Sequence, residues 1–349
     1  QNRVFDISRR RGTRVVLATN VAETSITVPG IRYVIDPGEA RISRYSFRTK
    51  VQRLPIEPVS RASANQRQGR CGRVQEGVCI RLYSEEDFQR RPEFTDPEIR
   101  RTNLAAVILQ MLNLRLGAVE DFPFINPPDQ RMVRDGYKLL QELGAVDGEG
   151  ELTAVGRRMA RLPVDPRLGR MVLAGAEHGC HEEILVITSA LAIQDPRERP
   201  ADKQTHADPM HARFRHERSD FMAWLALWRY YEEQRQALSQ GRLRKLCQKE
   251  FLSFMRMREW RDIHFQMTIA CRQLKLKPRP ELPVDENDQG VHLALLSGLL
   301  GNIAQLHEGS EYLGARNRRL QIFPGSSQFK KRPRWLVAGE IVETSKVYA

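Results

Sequence analysis

Nowhere in its 349 residues does this sequence hold a Gly-x-x-x-x-Gly-Lys-Ser/Thr stretch. Loops of that kind cradle nucleotide phosphates with backbone N–H groups and a lysine, so the chain carries no phosphate-gripping loop of its own. Cysteine is scarce and scattered, at Cys71, Cys79, Cys180, Cys247 and Cys271, with no Cys-x-x-Cys pair. That pattern argues against a disulfide framework and fits free thiols in a reducing compartment. No apolar run reaches the roughly 20 residues that a membrane helix needs, and no signal peptide is evident. No membrane partner is expected, and the cytoplasm is the default location. His178, Cys180 and His181 cluster, but their spacing is unlike zinc-ligand sets and no second ligand pair lies nearby. No metal site is therefore assigned.

What the chain has in excess is positive charge. Lys and Arg outnumber Asp and Glu by 56 to 43, a formal net charge of +13 and a pI near 9.8. Such a surface favours polyanions through counterion release and long-range steering, although a soluble protein that is merely basic has the same composition. The length suggests two or three domains, and 41% hydrophobic residues is enough for ordinary cores.

One stretch is more informative than any other: Gln66-Arg67-Gln68-Gly69-Arg70-Cys71-Gly72-Arg73. Glycines in it allow a tight turn and a close approach to a ligand. The spacing predicts that Arg70 and Arg73, one turn apart at a helix start, reach toward the same anion. Guanidinium forks match phosphate oxygens in a bidentate way and stay charged at any working pH. That is the chemistry of an arginine finger, which stabilises charge on a transferring γ-phosphoryl group; a basic solvated loop is the plainer alternative. Upstream, Ala18-Thr19-Asn20-Val21-Ala22-Glu23-Thr24-Ser25-Ile26-Thr27 offers hydroxyl and amide groups suited to phosphate oxygens and ribose.

These two stretches resemble motifs VI and V of the DEAH-box helicases, in the right order and about the right distance apart. Residues 77–83 and 93–99 are also similar to that family. The resemblance covers essentially the whole chain and is nearest in flavour to the bacterial HrpA-type RNA helicases. It implies ATP-dependent translocation on RNA and unwinding of it. Gln66, Arg70 and Arg73 are the implied catalytic residues, the arginines on the γ-phosphate and the glutamine on the attacking water. The implied nucleotide-binding set is Phe5, Gln66, Arg67, Gly69, Arg70 and Arg73, with Phe5 stacked on the base; a core phenylalanine is the alternative there. Thr19, Asn20, Thr24 and Thr27, with Arg44, Arg48 and Lys50 of a hairpin, are the implied RNA contacts. For the hairpin cations a solvated, charge-protected edge is the alternative. Two departures stand out: Cys71 stands where many relatives have alanine, and Val28-Pro29-Gly30 where many eukaryotic relatives have Ile-Asp-Gly, so an aspartate contact is absent or replaced.

The family's Asp-Glu-Ala-His box is missing too. The resemblance therefore implies a C-terminal piece that begins inside the second RecA-like domain. The main ligands of ATP (or another NTP) and of Mg²⁺ would lie outside it. RNA, mainly single-stranded, is the implied partner, with DNA as the alternative, for a monomer with a place for a protein activator on its OB region. A rival reading is a non-catalytic nucleic-acid-binding module.

The fold expected is multidomain, α/β plus α. Residues 1–97 read as the C-terminal part of a RecA-like α/β domain, with Arg14–Ala18 and Arg32–Asp36 as buried parallel strands and a β-hairpin at about 40–58. Residues 98–160 read as a winged helix. Its first helix is expected from Asp96-Pro97-Glu98, a second ends at Gly144, and a small ribbon follows at 145–152. Residues 161–290 read as a helical ratchet bundle. Helices are expected from Asp165-Pro166 to about Gly179 and over 181–193, 218–239 and 242–268, with a loop or mobile linker at 194–216 and a Pro-rich linker at 277–283. Helical spacing of Phe221, Trp224, Leu225 and Trp228 predicts core packing. Arg242, Arg244 and Lys245 read as a solvated helix face or, alternatively, an RNA-channel wall. Residues 291–349 read as a partial OB-fold, cut short so that a strand lacks its partner and leaves an exposed edge.

Overall fold

The computed structural model describes residues 4–5, 12–47, 50–73, 76–276, 288–343 and 346–349. The chain divides into two compact units, one of residues up to 46 and 52–102, the other of 47–51 and 103–349. Arg48 of the hairpin and the Pro-rich linker lie outside the described residues.

In the first unit a short helix α1 (Val21–Thr24) precedes strand β1 (Tyr33–Asp36). A two-tier hairpin follows, β2 (Glu39–Arg41) on β5 (Ile56–Pro58) and β3 (Arg44–Ser46) on β4 (Val51–Arg53). Helix α2 (Arg61–Gln68) comes next, then β6 (Val78–Arg81) and α3 (Glu85–Arg90). β6 lies parallel to β1, pairing Tyr33 with Val78 and Asp36 with Arg81. Ser60 starts α2 by accepting the Ser63 N–H at 3.2 Å, the expected use of a serine at an N-cap. Helix α2 packs on both α1 and β1, which brings residues 66–73 beside residues 18–27.

Residues 14–18 do not form the expected strand. Val15 is 79% exposed and Leu17 95%. Among the described residues only β1 and β6 make this parallel sheet, so the run has no neighbour to complete a ladder, and unpaired apolar residues cannot hold a strand by themselves. Asp96-Pro97 likewise begins only a single 3₁₀ turn, Glu98–Arg100. The Asp96 carboxylate accepts from Arg44 rather than capping a helix.

The second unit opens with α4 (Ala105–Leu114), whose Ala105 N–H is held by Asn103 Oδ1 at 2.9 Å. Helix α5 (Gln130–Glu142) follows and stops at Gly144, φ +68°. A bridge between Val146 and Leu152 leads to α6 (Ala154–Met159). Next come α7 (Pro166–His178), α8 (His181–Leu191), α9 (Gln204–Ala212), α10 (Asp220–Ala237), α11 (Gln240–Lys249) and α12 (Phe254–Gln273). Asp165 caps α7 from its side chain, with Pro166 at the first helical position and Gly179 left-handed at its end.

Two expectations needed correction here. The 194–216 segment contains α9, in spite of Pro209 inside it, because Ala207 is buried and Arg199 holds Asp208 in a bidentate pair at 2.6 and 2.8 Å. The 242–268 helix is split. Phe251 turns left-handed at φ +55°, and the backbone around it pairs with residues 196–198 instead, with Glu198 N–H to Phe251 O at 2.7 Å and Ser253 N–H to Pro196 O at 2.8 Å. The aromatic residues of α10 do pack inward. Trp224 and Trp228 both meet Trp260 of α12, whose indole N–H donates to Val186 O at 3.0 Å.

Helix α13 (Asp288–Leu299) lies against α7. Six strands then complete the chain: β7 (Ile303–Glu308), β8 (Glu311–Gly314), β9 (Arg318–Gln321), β10 (Trp335–Val337), β11 (Val342–Glu343) and β12 (Val347–Tyr348). They form one sheet in the order β10-β7-β8-β9-β12-β11 around Ala304, Tyr312, Leu320 and Ile322. The last strand is therefore interior to the sheet, between β9 and β11, while β10 and β11 lie at its edges. No helix of the described residues is long and apolar enough to cross a membrane.

Candidate active site

The chemistry of the first unit gathers around the C-terminal ends of β1 and α2. Asp36 ends β1 with its side chain fully out of solvent. Its carboxylate accepts from the Gly38 N–H at 2.9 Å, from Arg67 Nη1 at 2.7 Å and from the Tyr83 hydroxyl at 2.9 Å. Burial alone would raise the carboxyl pKa, but the hydrogen bonds from Arg67, Gly38 and Tyr83 outweigh it and hold the group below its ordinary value. Burial and the bond to Asp36 together push the Tyr83 phenol up to about 12.

Arg67 faces inward. Its Nε donates to Glu23 at 3.1 Å, its Nη1 to Asp36, and both terminal nitrogens to Glu39 O at 3.2 Å. Burial opposes its charge, yet Asp36 and Glu23 more than compensate, and its pKa rises. Arg67 thus ties α2 to both β1 and α1.

Arg70 and Arg73 differ in kind. Arg70 donates to the backbone carbonyls of Glu23 and Ile26, and Arg73 to the Thr27 hydroxyl. All these acceptors are neutral. Among the described residues neither arginine lies in a salt bridge, whereas Arg67 is matched by two carboxylates. Burial and then the neighbouring Arg73 charge lower the Arg70 pKa, outweighing the opposing Glu23 charge, and the Arg70 Nε is buried without a partner among the described residues. Two uncompensated guanidinium groups on one loop make a site for an anion.

The sequence placed these arginines at a helix start; they lie instead just past the end of α2. Gly69 continues the helical turn at φ −61°, and the chain then turns through i→i+3 bonds, Arg70 N–H to Arg67 O at 3.0 Å and Cys71 N–H to Gln68 O at 3.2 Å, with neither Gly69 nor Gly72 left-handed. Gln66 is exposed. Phe5 is half-exposed rather than a core residue, and Arg14 bridges its neighbour Val4 to Pro29 through two carbonyls at 3.1 and 2.7 Å. Thr19, Asn20, Thr24 and Thr27 are all exposed around α1. Of the hairpin cations, Arg44 is paired with Glu57 at 2.7 Å and Asp96 at 3.1 Å, and the Glu57 bond chiefly raises its pKa. Lys50, in the second unit, lies 3.4 Å from the nearly buried Asp135. Asp36, Glu23 and Tyr83 had no assigned role from sequence. The one available signal was an aspartate at the carboxyl end of a strand, where open α/β sheets gather their ligands.

The chain matches the helicase conserved C-terminal domain over residues 1–75, the winged-helix part of the helicase-associated domain over 137–164 and its ratchet-like part over 165–224. An oligonucleotide/oligosaccharide-binding fold matches over 291–349. Over its whole length it is 57% identical to the ATP-dependent RNA helicase HrpA of Escherichia coli. By sequence the chain is similar over its whole length to HrpA-type helicases. It is also 57% identical to the HrpA homolog of Haemophilus influenzae, and 36% identical to human probable ATP-dependent RNA helicase DHX35. The chain spans 27% of the length of each bacterial relative and 49% of the human one.

Proposed function

We propose that this chain is the C-terminal working part of an ATP-dependent RNA helicase, whose first unit is part of a RecA-like domain. Arg70 and Arg73 meet the γ-phosphate and stabilise the charge that develops on it during transfer. Gln66 helps orient the attacking water and Phe5 stacks on the base. Thr19, Asn20, Thr24 and Thr27 contact the RNA backbone, with Arg48 and the paired Arg44 and Lys50 on the hairpin beside the strand. The single observation that carries this reading is the charge balance: Arg67 is neutralised by carboxylates while Arg70 and Arg73 are not.

The groups of residues 66–73 fit a triphosphate, since the side chains of Gln66, Arg70 and Arg73 present N–H donors. Residues 66–73 include no carboxylate, and Glu23 and Asp36 are held by Arg67, so the ligands of Mg²⁺ come from residues beyond this chain. Bound there, Mg²⁺ would neutralise phosphate charge. The basic balance of the chain suits single-stranded RNA as partner. The protein acts as a monomer in the cytoplasm, and the OB region offers a place for a protein activator.

The test is RNA-stimulated ATP hydrolysis by the full-length protein that carries this chain, with and without Arg70→Ala. Loss of one preorganised charge donor is expected to lower kcat by about 10²–10³ while ATP still binds. An unchanged rate would assign the cluster to nucleic-acid binding alone.

A further inference from the structure

Asp36 is buried with both carboxylate oxygens hydrogen-bonded, and it touches neither of the two arginines that lack a carboxylate partner. It lies at the centre of a chain of contacts. On one side Arg91, itself nearly buried, stacks 3.8 Å over the Tyr83 ring and donates to Gly38 O at 2.7 Å. The Tyr83 hydroxyl donates to one Asp36 oxygen, and Gly38 N–H and Arg67 Nη1 to the other. On the far side Arg67 reaches Glu23 of α1, and the Glu23 carbonyl in turn accepts from Arg70. With Arg91 also holding Asp87 of α3 at 2.7 Å, these contacts link α3, β1, α2 and α1, and the Glu23 main chain carries them on to the Arg70 guanidinium.

We propose that Asp36 is a positioning residue for nucleoside-triphosphate hydrolysis: through Arg67 it holds α2 against α1 at the separation that presents Arg70 and Arg73 to the phosphate. The inference rests on the reading of those two arginines given under Proposed function. Without the Asp36 charge, Arg67 keeps only Glu23 as counter-ion and its guanidinium is free to shift toward α1. Arg70 depends on that helix for its own acceptor and moves with it. Small displacements of a charge-stabilising group cost rate and leave ground-state binding largely intact. Tyr83 acts in the same direction more weakly, by fixing the second carboxylate oxygen.

The experiment is steady-state, RNA-stimulated ATP hydrolysis by the full-length protein, comparing Asp36→Asn, Arg67→Gln, the double variant and Tyr83→Phe, with Arg70→Ala alongside. Asp36→Asn is isosteric and removes the charge. It is expected to lower kcat by about 10- to 100-fold with KM for ATP within about two-fold. In the double variant the loss should equal that of Arg67→Gln alone, because both substitutions break one connection. Tyr83→Phe, which leaves Arg67 and the ring stacking on Arg91 in place, is expected to lower kcat by about 3- to 10-fold at unchanged KM. It decides the matter if Asp36→Asn does not fold. Multiplicative losses in the double variant, a KM effect at constant kcat, or a Tyr83→Phe enzyme indistinguishable from wild type would each overturn the inference. If Arg70→Ala abolishes turnover while one of those results is found, only the positioning role falls. If Arg70→Ala has no effect, the arginine reading falls and takes this inference with it.

Discussion

Gly38 and Gly30 share a backbone conformation, φ +78° and +74°, but not an environment. A Cβ on Gly38 would lie 2.6 Å from the Tyr83 ring and 2.8 Å from Arg91 Nη2, whereas nothing stands within 4 Å of one on Gly30. Both alanine substitutions carry the strain of a left-handed residue, about 1–2 kcal/mol. Gly38→Ala must in addition displace the stacked Tyr83–Arg91 pair, for a total of roughly 2–4 kcal/mol. Hydrogen exchange of the β1 amides measures both, and equal losses would show that the turn matters and the packing does not. The pair also shows what could be read from sequence at this scale. Arg70 and Arg73 drew notice in the sequence because guanidinium groups at fixed spacing beside glycines suit an anion, and among the described residues neither lies in a salt bridge. Asp36 was not legible, because a carboxylate ending a strand has the same sequence signature whether it faces water or three donors. Arg67 was legible as an arginine of the cluster but not as its neutralised member, since that depends on Glu23 and Asp36, which are 44 and 31 positions away.

Elements whose boundaries rest on local chemistry were the readable ones. Asp165-Pro166 opens α7 and Gly179 closes it, and Gly144 closes α5, all from caps that act within a few residues. Elements decided by remote partners were misread. Residues 14–18 have strand composition and no strand partner among the described residues, and the break between α11 and α12 depends on backbone pairing with residues 196–198. Gly298 belongs to this second class. It is the second-to-last residue of α13, and glycine is a weak helix former. An added Cβ there would lie 2.4 Å from the Arg167 carbonyl and 2.7 Å from Met171 Cε. The glycine therefore sets how closely α13 and α7 approach. Gly298→Ala gains intrinsic helix propensity, less near a helix end than the ~1 kcal/mol of an interior position, yet must push two helices apart against a backbone atom. Overpacking of that kind costs about 1–3 kcal/mol or more. A net loss in denaturant midpoint, despite a better helix former, is the expected outcome; a gain would mean that α13 does not pack on α7.

Taken as a whole, the chain concentrates its core in the second unit and leaves the first with few buried apolar side chains, while Tyr33, Ile35, Val78 and Ile80 on one face of the β1–β6 pair stay exposed. Global stability should therefore report chiefly on the second unit, and its pH dependence follows from three histidines there. Burial lowers the pKa of His181, His264 and His211 below the ordinary value. Glu182 opposes the effect at His181; Glu182 and Glu232 oppose it at His264, while Arg261 and His181 reinforce it. At His211 the carbonyls of Phe251 and Glu250 and the Asp195 charge oppose the effect, and Arg197 reinforces it. A histidine with a depressed folded pKa binds its proton more readily when unfolded. Stability is then complete above the unfolded value of about 6.5 and falls as pH drops below it. Asp36 and Asp208 have lowered values, so their contribution is present above the unfolded carboxylate pKa and fades only as pH falls through their still lower folded values. The interval between pH 6.5 and 5 thus isolates the histidines. The melting temperature should decline across it, and His181→Gln together with His264→Gln should flatten the decline, since a glutamine takes up no proton in either state. A slope unchanged by the two substitutions would place the acid sensitivity elsewhere in the chain.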